Sequence, residues 1–370
     1  MKDKYTIAYL SLECLYKNSA TYVHISEIIQ ALQQQHLNIV LYSSPINKKI
    51  KKTPLGTKIF NYLRIQANLI RNIKSYDLIY VRSHYAAFPV SLVAKLLSIP
   101  IIQEVNGPYC DIFITYPFLK IIKFPMVFLQ RFQYKHATHL IGVTDNLAKW
   151  LATETKHDRI TVVSNGANIK LFKPISPNSN IKTITKSPYV VFYGSMAKWH
   201  DIETAINATL DPAWPVGIKL VIIGESLKTK DIFNNQNNNS TIIFLGEQEY
   251  KKMPSYISPA LAGLVIIADP EGRSGKGLSP LKLYETLSCG VPVIVSDFPG
   301  QAELILLHKC GLVVPPYSSS ELAQAIATLA HNNNLAKELG KNGRKIIEKE
   351  YSWEKAAFKI HILISKLLNN

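Results

Sequence analysis

The sequence predicts an α/β protein made of two doubly wound domains with a cleft between them. Three observations lead there. The 370 residues are enough for two buried cores. Short Val/Ile/Leu-rich runs alternate with longer amphipathic stretches, the pattern of parallel strands covered by helices on both faces. Midway, NIKLFKPISPNSNIKTITKSP (168–188) breaks that rhythm with prolines, asparagines and serines and reads as an interdomain linker.

In the first half the strand candidates are YTIAYL (5–10), LNIVLY (37–42), DLIYV (77–81), IPIIQEV (99–105), HLIGV (139–143) and ITVVS (160–164). Stretches 21–35, 57–74, 86–97, 117–135 and 145–154 between them are helix-like. After the linker come YVVFY (189–193), KLVIIG (219–224), TIIFLG (241–246), AGLVII (262–267), VPVIVS (291–296) and GLVVP (311–315). Helical patterns fill most of those gaps, and a helical tail follows from about 319. The tract NNQNNNS (234–240) reads as an exposed loop.

Composition narrows the function classes. Apolar residues make up 47% and charged residues 18%, which suits a soluble globular chain and excludes a disordered one. The net charge is +16, of which residues 1–175 carry +13 and residues 176–370 carry +3. The first half therefore favours anionic partners: a membrane surface, phosphates or nucleic acid. No segment approaches the roughly 18 uninterrupted apolar residues of a membrane-spanning helix. The start, MKDKYTIAYLSLECLY, lacks a small-residue cleavage pattern and its apolar stretch is interrupted by Glu13, so a secretory signal is not expected. Cys14, Cys110, Cys289 and Cys310 are far apart with no C-x-x-C pair, as in a reducing cytoplasm. No metal site is expected.

KGLSPLKLYETLSCGVPVIVSD (276–297) is the segment that suggests chemistry. Strand AGLVII runs into DPEGRSGKG, a loop with three glycines and the cations Arg273 and Lys276. Ser279 is read as the N-cap and Pro280 as N1, which puts Leu281 at N2 and Lys282 at N3. Gly290 then ends the helix. A lysine in the first turn opposes the helix dipole. Either it bends into solvent, or an anion sits there on the free N–H groups and the ammonium. Position alone leaves both open. Glu285, one turn on, is either a surface glutamate or an acceptor for sugar or ribose hydroxyls.

This segment resembles the donor site of retaining glycosyltransferases of family 4, which have the GT-B fold. Other motifs support the resemblance in family order. VVSNGANIKLFKP (162–174) looks like the linker motif, VFYGSMAKWHDIETAINA (191–208) like the glycine turn opening the second domain, and YSWEKAAFKIHILISKLL (351–368) like the closing helix. KLVIIGE and IIFLGEQEYKKMPSYI lie between, and IPIIQEVNGPYCD (99–111) resembles a first-domain segment of one subgroup. That subgroup carries W-H after the glycine turn, as Trp199-His200 do, and S-P-L-K-x-x-E, as Ser279 to Glu285 do. The resemblance implies an acceptor-binding Rossmann-like domain at 1–175 and a nucleotide-sugar-binding one at 176–350. A helix at 351–370 would cross back to the first.

The resemblance also implies the site. Gly194 is the turn glycine approaching the diphosphate, Glu285 the ribose glutamate, and Ser279 to Lys282 the phosphate loop and helix start. Gly246 belongs to the same donor set. Three positions depart from the family pattern. Gly277, eight residues before Glu285, stands where a glutamate often handles the sugar; Ser195 replaces an arginine and His200 a lysine. Glu271 is 14 residues before Glu285, so a longer loop would have to return it. Lys198, Lys282, Arg273 or Lys276 would supply the missing charge.

The implied reaction moves a hexose-type sugar from a nucleoside diphosphate sugar to a saccharide or lipid-linked saccharide with retention, without cofactor or metal. Lys282 and Glu285 are the catalytic candidates in the second domain. Asn106, ending the EVNG strand, is the candidate for touching acceptor or transferred sugar. Arg82 and His84 follow another strand and would meet an acidic acceptor, or are loop charges; His24 is read as a packing histidine. KKIKK (48–52) and the basic-apolar stretch 117–135 suggest contact with anionic lipid at the inner face of the plasma membrane, although a core-facing helix fits 117–135 too. The competing readings are a catalytically silent nucleotide-sugar-binding scaffold and a GT-B sugar-nucleotide epimerase. Nucleic-acid binding is not expected, because the basic residues are dispersed and no binding motif accompanies them.

Overall fold

The computed structural model describes residues 5–46, 54–175, 184–195, 199–224, 240–269 and 272–369. The KKIKK run, Lys198, Glu271, residues 176–183 of the linker and residues 234–239 of the asparagine tract lie outside the described residues. The chain divides into two compact units, residues 1–164 with 353–370, and residues 165–352.

The first unit is built on a six-stranded parallel sheet of β1 (Tyr5–Ser11), β2 (Leu37–Ser43), β3 (Leu78–Arg82), β4 (Ile101–Val105), β5 (His139–Gly142) and β6 (Ile160–Val162), in the order β2-β1-β3-β4-β5-β6. Around it lie α1 (Ala20–Gln33), α2 (Leu55–Arg71), α3 (Phe88–Leu96), α4 (Asp111–Thr115), α5 (Lys123–His136) and α6 (Asp145–Thr155). β3 and β4 are buried throughout, whereas the edge strand β2 alternates buried and exposed positions. Continuous apolar runs therefore mark the centre of the sheet and alternation marks its rim.

The second unit carries β7 (Tyr189–Tyr193), β8 (Lys219–Ile223), β9 (Ile242–Phe244), β10 (Ala262–Val265), β11 (Val293–Ser296) and β12 (Gly311–Val314), again all parallel, in the order β12-β11-β10-β7-β8-β9. Its described helices are α7 (Ile202–Ala208), α8 (Met253–Ile257), α9 (Leu281–Ser288), α10 (Gln301–His308), α11 (Ser319–His331) and α12 (Asn333–Glu350). The last helix, α13 (Trp353–Asn369), belongs to the first unit and packs on α1, where the Trp353 ring meets His24 edge-on at 5.1 Å. All twelve expected strands are present, each boundary within two residues of the sequence reading.

One face of the second sheet, with Val190, Phe192, Leu220 and Leu264, packs on α7 and α11. On the other face Val265, Val293 and Val295 meet Leu283 and Leu287 of α9. Truncating a wholly buried leucine such as Leu283 to alanine would cost about 2–5 kcal/mol. α9 sits close on β10: a β-carbon at Gly263 would lie 2.5 Å from Thr286 Cγ2. At its far end, Arg344 of α12 donates to the carbonyls of Ile169 (3.2 Å), Phe172 (2.7 Å) and Ser288 (2.6 Å), tying the linker motif to the last turn of α9.

Two local expectations are corrected. The stretch 117–135 is not one helix: a 3₁₀ segment, Pro117–Ile122, precedes α5. Pro125 cannot donate an amide hydrogen bond, so the helix restarts where Pro125 falls in its first turn. α9 begins one residue later than expected. Pro280 is extended at φ −71°, ψ 134° and is itself the N-cap, so Lys282 occupies N2. Ser279 does not cap; its hydroxyl lies 2.9 Å from the Tyr284 hydroxyl, and its carbonyl accepts from Asn165 Nδ2 at 2.6 Å.

Candidate functional site

The second sheet reverses its strand order between β7 and β10, and the carboxyl ends of those two strands frame the crevice where doubly wound sheets bind ligands. β7 stops at Tyr193, and Gly194 turns the chain at φ +123°, a conformation open to glycine and rarely to other residues. The chain then returns over β10: the Trp199 carbonyl accepts from the Ala268 N–H at 2.9 Å, and His200 bridges Ile267 in antiparallel sense. Asp201 caps α7 by accepting from the Thr204 N–H at 3.2 Å, which holds this return in place.

After β10, Asp269 accepts from the Ser274 N–H, and the short turn Ser274–Lys276 leads to Gly277 at φ +91°, ψ 134°. The Leu278 N–H donates to the Pro299 carbonyl at 2.8 Å, and α9 then starts directly beneath the glycine turn.

Here the lysine has no solvent-facing option. Lys282 is 6% exposed, and among the described residues its Nζ has no hydrogen-bond partner. The ammonium lies 4.8 Å from the centre of the Phe192 ring, and a β-carbon on Gly194 would be 3.9 Å from it. Burial pulls its pKa down to about 7, with Glu285 pulling the other way. Two basic side chains stand nearby. The Arg273 guanidinium lies 4.9 Å over the Trp199 ring. His200 donates through Nδ1 to the Ser195 carbonyl, which leaves Nε2 as the nitrogen that can take up a proton. Burial, Lys282 and Arg273 together push the His200 pKa well below its ordinary value. The backbone N–H groups of the first turn of α9 add to this field. Burial opposes the charged form of Lys282 and Glu285 supports it, so an anion at this helix start would add to what Glu285 supplies.

Glu285 is buried one turn further along α9. Its Oε2 lies 3.3 Å from the Tyr193 hydroxyl, which also donates to the Lys282 carbonyl at 3.0 Å and lies 3.1 Å from Thr286 Oγ1. Tyr193, Phe192 and Asn165 are site-forming residues that sequence reasoning missed. The first two look like ordinary strand residues, and only their place just before Gly194 signals more; Asn165 opens the N-G of the linker motif.

The structure thus gathers Gly194, Ser195, His200, Arg273, Lys282 and Glu285. Leu281 opens α9 half-buried. Lys276 donates through Nζ to the Gly272 carbonyl at 3.4 Å. Gly246, at φ +62°, lies beyond β9 at the same sheet edge, where its carbonyl accepts from the Gly224 N–H at 2.9 Å. Among the described residues no group of three or more His, Cys, Asp or Glu side chains is placed to hold a metal ion.

Asn106 belongs to the first unit, just past β4, where its Nδ2 donates to Glu104 Oε1 at 2.5 Å. Glu104 is the hub of a buried network, accepting also from Tyr80 (2.6 Å), His24 (2.8 Å) and Arg82 (3.1 Å). Arg82 bonds Glu13 as well, at 2.9 Å. Burial pushes the Glu104 carboxyl up, but His24, Arg82 and Tyr80 outweigh it and hold the group well below the usual carboxylate range. Arg82 is consequently neutralised from within. His84 Nδ1 accepts the Ala86 N–H at 3.1 Å, and burial lowers its pKa.

Comparison with known proteins agrees with this architecture. Residues 23–171 match the model of Glycosyltransferase Family 4, and residues 176–346 that of glycosyl transferases group 1. An uncharacterized glycosyltransferase of Methanocaldococcus jannaschii is 26% identical over 343 residues, covering 90% of this chain and 87% of that protein. A second one from the same organism, 24% identical, is matched over 60% of its length and 64% of this chain. The N,N'-diacetylbacillosaminyl-diphospho-undecaprenol alpha-1,3-N-acetylgalactosaminyltransferase of Campylobacter jejuni is 25% identical, covering 85% of this chain and 82% of that one. Among solved structures, sucrose-phosphate synthase from Thermosynechococcus elongatus superposes with a TM-score of 0.80 at 17% identity, covering 99% of this chain and all of the other. Anabaena HepE in complex with UDP-glucose superposes at 0.73 and 17% identity, covering 98% of this chain and all of that one. The chain therefore comprises a Glycosyltransferase Family 4 domain followed by a glycosyl transferases group 1 domain and has the GT-B glycosyltransferase fold.

Proposed function

We propose that this protein is a retaining, metal-independent glycosyltransferase that moves a hexose-type sugar from a nucleoside diphosphate sugar to a saccharide or lipid-linked saccharide, in surface polysaccharide or glycoconjugate synthesis. The observation that carries the reading is the buried Lys282 ammonium at the start of α9 against the Gly194 turn, with no hydrogen-bond partner among the described residues. A diphosphate there would meet Lys282, Arg273, His200 and the first-turn N–H groups. Glu285 would accept from ribose hydroxyls. The UDP-glucose complex of HepE supports a nucleotide-sugar donor, and the undecaprenol-linked substrate in the Campylobacter enzyme's name supports a lipid-linked acceptor.

In the reaction, the bond between the anomeric carbon and the phosphate oxygen breaks and the diphosphate keeps the electron pair. The acceptor oxygen bonds to the same face of that carbon, and its proton passes to the departing phosphate. The site stabilises the growing phosphate charge with groups already in place. Asn106, oriented by Glu104, is the proposed contact to the acceptor or transferred sugar, and the enzyme would work in the cytoplasm at the inner face of the membrane. A thermal-shift screen of nucleotide sugars identifies the donor; Lys282→Ala should then lower turnover by roughly 100- to 1,000-fold with the fold intact. Near-normal turnover in that variant would refute the role. One observation favours a second reading, a silent nucleotide-sugar binder: Gly277 offers no carboxylate to the sugar. Donor binding with neither transfer nor hydrolysis would establish it.

A further inference from the structure

We propose that the first unit carries a membrane-docking surface, formed by the outer face of the amino-terminal half of α2 together with the 116–128 segment, and that its partner is an anionic phospholipid bilayer. α2 is apolar on two sides. Ile65 and Leu69 face the core, while Leu55, Ile59 and Phe60 are exposed. In the 3₁₀ segment and the start of α5, Phe118, Ile121 and Phe124 stand outward, Ile121 91% and Phe124 84% exposed. These two segments hold ten of the twenty-one exposed large apolar side chains among the described residues, so the exposure is concentrated rather than scattered. They are neighbours: Lys58 of α2 places its ammonium 5.7 Å from the centre of the Tyr116 ring.

Charge decides the occupant. No aspartate or glutamate occurs in residues 54–76 or 112–144, whereas Lys58, Arg64, Lys120 and Lys123 lie among the exposed apolar groups. Further along α5 the character changes. Gln130, Gln133 and Tyr134 turn inward and Arg131 pairs with Glu154, so the outward surface ends near Phe128. A second copy docked face to face would bring unbalanced cations against their own kind. A bilayer takes up the aromatic and aliphatic side chains at the acyl boundary and offers phosphates to the lysines, whose stems reach the headgroups.

This surface stands independently of the transfer reaction, since the assay contains no nucleotide sugar. Full-length protein is sedimented with vesicles of phosphatidylcholine alone and of phosphatidylcholine mixed with equal parts of phosphatidylglycerol. The protein is expected in the pellet with the anionic vesicles and largely in the supernatant with the neutral ones. Ile121→Glu combined with Phe124→Glu should abolish sedimentation, and Lys120→Gln with Lys123→Gln should weaken it roughly fivefold per cation. All these side chains are exposed, so unchanged thermal melting accompanies both results. The proposal is overturned if wild type stays in the supernatant with anionic vesicles, or if both double variants sediment as wild type does. It is also overturned if ultracentrifugation without lipid shows self-association that the Ile121/Phe124 variant loses, which assigns the face to a second copy.

Discussion

Methionine at position 282 would keep most of the volume of the lysine stem while removing its ammonium. That ammonium is buried, with no hydrogen-bond partner among the described residues, and its pKa falls from the ordinary lysine value of 10.5 to about 7. Such a fall corresponds to about 5 kcal/mol of cost for keeping the charge in the folded state. The folded value lies below the unfolded one, so between pH 7 and 10.5 the unfolded chain holds the extra proton. Wild-type stability should therefore rise with pH across that window, and below pH 7 the penalty is fully present. Lys282→Met removes the penalty, and after relaxation of the surroundings the gain at neutral pH should be about 1–4 kcal/mol. The same substitution removes the proposed main phosphate ligand, so stability and turnover are expected to move in opposite directions. Urea denaturation near neutral pH and near pH 10, alongside turnover with the identified donor, tests both halves. A variant no more stable than wild type at neutral pH, or one that still turns over, would refute the reasoning.

Gly277→Glu supplies the carboxylate that the family resemblance implies at this position, but at φ +91° the backbone resists a β-carbon; a loss of about 1–3 kcal/mol in thermal melting is expected, with no gain in turnover. Tyr193→Phe removes the hydroxyl that joins Lys282, Glu285 and Thr286 and should cost about 1–2 kcal/mol, with weaker donor binding by calorimetry. Glu104→Gln leaves His24 and Arg82 short of a buried counter-charge and should cost about 3–5 kcal/mol at neutral pH. Because the Glu104 carboxyl is held below its unfolded value, its contribution is present above the unfolded pKa and fades as pH falls toward the folded one. The variant should accordingly lose less stability on acidification than wild type, a difference read from denaturation curves across the acid range.

The strands were legible because burial on both faces leaves a continuous apolar run, as in Leu78–Arg82 and Tyr189–Tyr193. Lys282 was legible as a residue in the wrong place for a helix start, and the glycine turn beside it completed the picture. Other features depend on contacts between distant residues, which no local pattern records. Glu13, in the loop after β1, His24 of α1, Arg82 of β3 and Glu104 of β4 are far apart in sequence, and only the fold shows that they meet one another. The exact start of α9 hung on whether Pro280 would adopt an extended or a helical ψ, a choice settled by the Asn165 and Tyr284 bonds to Ser279. The break before α5 was encoded by Pro125 but masked by the even spread of apolar residues around it.

The contact between α12 and α9 has a consequence for anyone altering this protein. A glycine inside a helix is ordinarily a weak point, and replacing it with alanine is among the first changes tried for thermal hardening. Here a β-carbon at Gly340 would collide with the Gly290 carbonyl, and one at Gly343 would come within 2.6 Å of Leu287 Cδ2. The usual remedy would wedge α12 away from the helix that carries Lys282. Two bare positions, more than fifty residues downstream of that lysine, thus act as the seat on which it rests. Hardening this scaffold has to begin elsewhere.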